Sequence, residues 1–97
     1  MIGLDTNVLV RYFAQDDVEQ SRKATALMES LSTDRPGYVS QVALVEVVSV
    51  LGRCYGVERE QMKEIIDSMI GTKELAVEGA DTVRKALRVY PRMEISI

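Results

Sequence analysis

Apolar residues recur along this chain with two different periods, and the switches between them mark out its elements. Met1-Ile2-Gly3-Leu4 runs apolar into Asp5 and reads as a short strand ending on a carboxylate. Thr6-Asn7 suits the opening of a helix over Val8 to Ala14. Asp16 and Glu19 have the spacing of a capping box, and Ala24, Leu27, Met28 and Leu31 form an apolar stripe, so a second helix is expected to run to about Leu31. Turn chemistry from Ser32 to Gly37 then leads into a brief strand at Tyr38-Val39. Ser40 is placed to cap a helix from Gln41 to Tyr55, apolar on most of its surface and therefore central, which closes at Gly56. From Glu58 to Ile70 the pattern is amphipathic, with Met62, Ile65, Ile66 and Met69 inward and Arg59, Glu60, Lys63, Glu64 and Asp67 toward water, and Gly71 ends it. Glu74-Leu75-Ala76-Val77 makes a third strand, and Asp81 to Tyr90 a last helix stopped by Pro91.

That succession predicts an α/β fold with a parallel sheet covered on both faces. In open parallel sheets ligands gather at the carboxyl ends of the strands, which marks Asp5. A chain of 97 residues holds one compact domain, and 46% hydrophobic with 28% charged residues is the composition of an ordinary globular protein. No apolar stretch is long enough to span a bilayer and no secretory leader opens the chain, so the expectation is a cytoplasmic protein without membrane contact. Cys54 stands alone in an apolar helical run, which predicts burial. The absence of histidine removes His-containing triads and His-ligated zinc, so hydrolysis here has to run on carboxylates and a hard metal. A net charge of −3 argues against broad adhesion to nucleic acid but leaves room for a local basic groove.

Two carboxylates stand out. Asp5 reads either as a turn residue or helix cap, or as a functional acid. Glu46 lies within Val42-Ala43-Leu44-Val45-Glu46-Val47-Val48, a run with no other charge, so it must reach water or find a partner. A structural salt bridge, for example to Arg11, competes with a functional role. Together, a carboxylate at a strand end and another on a packed helix can converge on Mg²⁺ or Mn²⁺, which favour oxygen ligands and activate bound water.

Leu4-Asp5-Thr6-Asn7-Val8-Leu9-Val10-Arg11-Tyr12, the Asp16-Asp17 pair, and Leu44-Val45-Glu46-Val47 followed by Val50-Leu51 resemble PIN-domain toxins of the VapC type, from Ile2 to about Tyr90. The resemblance implies a PIN-like α/β/α sandwich and a Mg²⁺- or Mn²⁺-dependent endoribonuclease. It also implies RNA as substrate, a homodimer, and an antitoxin partner. It makes Asp5 and Glu46 metal-site acids, with Thr6 and Asn7 orienting the first of them or capping the helix.

The family's later acids lie beyond the helix that ends near Tyr90, and Pro91-Arg92-Met93-Glu94-Ile95-Ser96-Ile97 does not resemble the expected continuation. Neither Glu94 nor Asp81 falls in a matching motif. The expectation is an incomplete PIN-like domain over 1–90, missing its C-terminal strands, then an atypical tail over 91–97, with weak or absent ribonuclease activity. Arg84, Arg88 and Arg92, with Lys85, recur at helical spacing and offer RNA phosphates or an acidic antitoxin tail a basic stripe, against the commoner solvated helix face. The competing functional class is a noncatalytic PIN-derived interaction module. A haloacid dehalogenase-type phosphatase would need an aspartate where Asn7 stands.

The tail yields a first prediction. Met93, Ile95 and Ile97 alternate with polar residues at strand period, so the segment is expected to pair beside the first strand or with a second chain. A chain ending at Tyr90 should aggregate or lose a dimer in sedimentation and melt earlier; unchanged behaviour would dismiss the pairing.

Overall fold

A computed structural model describes residues 1–89. Its elements are β1 (Ile2–Gly3), α1 (Thr6–Ala14), α2 (Val18–Glu29), β2 (Gly37–Val39), α3 (Gln41–Tyr55), α4 (Arg59–Gly71), β3 (Leu75–Val77) and α5 (Ala80–Val89). The strands lie in the order β1-β2-β3 and both pairs are parallel. This is the α/β architecture with a parallel sheet that the sequence predicts. Among the described residues β1 is an edge strand; the proposed strand over 93–97 lies outside them, as does Tyr90 at the expected end of the last helix.

The register sorts the strand residues into two faces. Ile2 pairs with Gly37 and Gly37 with Leu75, while Val39 pairs with Val77. With Leu4, which shares the face of Ile2, these residues are buried or pack against the core. Both crossovers step the same way across the sheet, so right-handed connections bring both helix pairs onto this face. The opposite face carries the row Gly3, Tyr38 and Ala76, exposed or half-buried. Leu9 and Val10 from α1, Ala43, Leu44, Val47 and Leu51 from α3, and Met62, Ile66 and Met69 from α4 complete the core. No helix of the described residues is long and apolar enough to cross a membrane.

Helix starts follow the sequence closely but not everywhere. Ser40 caps α3 by accepting from the Ala43 N–H at 3.1 Å, and Gly56 closes it at φ 62°, so this helix has its expected bounds. The first helix opens at Thr6, two residues early, because Asp5 is its cap. The second is capped by Asp17, one residue beyond the expected Asp16. Asp17 accepts from the Gln20 N–H at 2.9 Å, and Gln20 then takes the position expected of Glu19 in the capping box.

α3 is less enclosed than its composition predicts. Val42 and Val45 are 68% and 60% exposed on the side away from the buried stripe. Cys54, expected to be buried, is exposed, because it is the neighbouring Tyr55 that packs against the core from the last turn.

Gly37 is the tightest point of the sheet. A Cβ there would lie 2.8 Å from Leu4 Cδ1 and 2.9 Å from Leu31 Cδ1, so two core leucines would have to move. Gly37→Ala is expected to destabilise the fold by about 1–3 kcal/mol through overpacking, read as a lower urea midpoint with unchanged slope.

Candidate metal centre at the carboxyl edge of the sheet

Asp5 follows the end of β1, where the chain leaves the sheet and turns into α1. One carboxylate oxygen, Oδ1, accepts the Val8 N–H at 2.9 Å and so satisfies a donor that the first helical turn leaves open. Its other oxygen makes no hydrogen bond among the described residues, and the side chain is exposed. The cap and the candidate ligand are therefore different oxygens of one carboxylate.

Glu46 reaches the same corner from α3. The Thr6 hydroxyl donates to its Oε2 at 3.3 Å, which ties the carboxylate to the residue after Asp5. Thr6 thus holds the second acid rather than the first. Glu46 is exposed, so its charge costs no burial, and Oε1 is without a protein partner among the described residues. The salt bridge weighed for it does not form. Arg11, a turn and a half further along α1, pairs at 3.4 Å with Asp16, which also accepts the Tyr55 hydroxyl at 2.7 Å.

Asn7 is exposed on the first turn of α1 and lines an open groove of about 610 Å³ between α1 and α2. The charged residues there balance, Arg11 and Lys23 against Asp17 and Glu19, over an apolar floor that includes Val8 and Leu27. Of the expected basic stripe, Arg84 is exposed and stands 4.0 Å from Asp81 in its own helix. The Arg88 side chain and Arg92 lie outside the described residues. Among the described residues no group of three or more Asp, Glu, Cys or His is arranged to hold a metal. What the fold brings together here is Glu46 and the Thr6 hydroxyl, next in sequence to the capping Asp5.

Glu78 is the residue that sequence reasoning missed. It follows β3 as Asp5 follows β1, and its Oε1 accepts the Gln41 N–H at 2.9 Å, at the start of α3. That backbone bond and the hydroxyl of Tyr38 hold its carboxyl below the usual range. Val77-Glu78-Gly79, an apolar strand meeting an acid, carried the same signal as Leu4-Asp5. Gly79 sits at φ 67°, and a side chain there would run into Gln41.

Comparison with known proteins gives one match. The family model for the PIN domain matches residues 2–97. No curated protein matches, and no solved structure matches.

The depressed carboxyls generate a pH prediction. Glu78 and Asp16 are both held below their ordinary values of 4.5 and 3.8, the first chiefly by the Gln41 N–H and the second chiefly by the Tyr55 hydroxyl. A depressed acid contributes stability above its unfolded value and loses it as pH falls through the folded one. The melting temperature should therefore drop through the carboxylate range, and Glu78→Gln and Asp16→Asn should each flatten that drop. Tyr55 is raised above 10.0, chiefly by Asp16, so the same bond weakens again as strongly alkaline pH ionises the phenol. A wild-type acid limb shared unchanged by both variants would contradict this account.

Proposed function

The chain belongs to the PIN domain family, and on that premise we propose that it is a divalent-metal-dependent endoribonuclease of the toxin–antitoxin, VapC-like type. PIN domains are generally nuclease domains, so the coarse activity follows from membership; the substrate class, the metal and the partners are the proposal. The observation that carries it is the Thr6–Glu46 hydrogen bond, which joins a carboxylate from α3 to the start of the helix that Asp5 caps.

The donor set suits a hard cation. Asp5 and Glu46 each keep one oxygen without a protein partner among the described residues, and both face water, from which Mg²⁺ or Mn²⁺ would retain most of its ligands. When bound, such an ion lowers the pKa of a coordinated water and offsets charge on a phosphodiester. Thr6 restrains Glu46 by donating to one oxygen, which leaves the other to the cation, and the cap does the same for Asp5. Asn7 stands between this corner and the α1–α2 groove, where its amide can meet an RNA strand. Two acids hold a metal weakly compared with a full cluster, and among the described residues no third joins them, so this reading carries low metal affinity and slow cleavage.

The same reading includes a homodimer and a protein antitoxin, with Arg84, Arg88 and Arg92 as the surface for RNA phosphates or an acidic antitoxin segment. A second reading, a noncatalytic interaction module, is favoured by Val42 and Val45, which leave an apolar stretch of α3 open beside Glu46.

Mn²⁺ titration of the purified protein tests the proposal directly. Binding should be weak and should disappear in Asp5→Asn and in Glu46→Gln, while Thr6→Val should cost roughly tenfold in affinity, as loss of an outer hydrogen-bond partner does. Slow Mg²⁺-dependent cleavage of single-stranded RNA should vanish in Asp5→Ala. Metal binding indifferent to both acids would leave the interaction module as the better reading.

A further inference from the structure

We propose that Tyr55 and Asp16 are positioning residues for the Asp5–Glu46 site: by pinning the far end of α1 to α3, they set the register that lets Thr6 reach Glu46. The inference rests on reading those two acids as the metal centre.

Two polar ties join the α1 region to α3. At the start of α1, Thr6 donates to Glu46 at 3.3 Å; just past its end, Asp16 accepts the Tyr55 hydroxyl at 2.7 Å. Between them the contact is apolar, made by Leu9 and Val10 against residues such as Leu44, Val47 and Leu51. Apolar packing keeps the helices together but is non-directional and constrains sliding and rolling weakly. Directional bonds are needed to fix the register.

The geometry gives the Tyr55 tie a specific effect. Glu46 and Tyr55 are separated on α3 by about two and a half turns, so they leave it from opposite flanks, about 14 Å apart along its axis. Rolling α1 toward either flank opens one tie. The Thr6 bond is long for an O–H donor and has little reserve, so a displacement of a few tenths of an ångström decides whether it holds. The Tyr55 bond is short and its acceptor is braced, because Arg11 also reaches Asp16 at 3.4 Å and Ser21 donates to the Arg11 carbonyl at 3.3 Å. The stiff tie therefore governs the loose one. Asp16 takes this task while its neighbour Asp17 caps α2.

The test is a double-mutant cycle of Tyr55→Phe and Thr6→Val, with Asp5→Asn as a control. Tyr55→Phe keeps the ring and removes the hydroxyl, so the fold survives. It should weaken Mn²⁺ binding several-fold, yet add no further loss in the Thr6→Val background, where nothing is left to aim. Urea unfolding without metal should show the same non-additivity, although residues this far apart with no shared partner ordinarily act independently. Unchanged Mn²⁺ affinity in Tyr55→Phe, or losses that multiply in the double variant, overturns the proposal. Loss of binding in Asp5→Asn upholds the metal centre whichever way the tyrosine falls. Were the wild type to bind no Mn²⁺, the centre itself would fail, and additivity in the unfolding cycle would still decide against the tie.

Discussion

The contact between α1 and α3 is the constraint on which the remaining structure depends. Leu9, Val47 and Leu51 are almost entirely enclosed there, so the contact buries apolar surface that holds the two helices together. One helix begins at the end of β1 and the other at the end of β2, so their packing also fixes the corner where those strands deliver their last residues. Capping then decides which polar groups stand at that corner. Asp5 must be there because the α1 backbone needs an acceptor, and Glu46 is there because its place on α3 faces the first turn of α1.

A single residue thus caps a helix and keeps polar capacity to spare. The Asp5 carboxylate has two oxygens, and the helix requires one of them. Thr6 acts likewise, turning its backbone into the helix and its hydroxyl toward the neighbouring element. Both acids stand open to water.

The fold was legible where local chemistry alone determined the outcome. Ser40 and Gly56 bracket α3 so clearly that both of its ends could be read from the sequence, and the inward methionines of α4 follow from their spacing. Choices between equivalent neighbours were not legible. Asp16 and Asp17 are the same residue type, and the one that caps α2 is decided by Arg11 and Tyr55, which are brought to Asp16 by tertiary packing. The exposure of Cys54 and Val45 likewise depends on which sides of α3 the other elements cover, a property of the assembled helices and not of the helix itself. In the candidate site the two acids could be named from sequence, but their tie could not, since Thr6 and Glu46 meet across forty positions of chain.

The brevity of the strands has a consequence for how the protein comes apart. Two or three residues per strand supply few ladder bonds, and each parallel pairing must close a loop containing two helices before it gains anything. The sheet is then a product of helix docking rather than a template for it. The corner at Asp5 draws on β1, α1 and α3 at once, so it takes shape only as those helices dock.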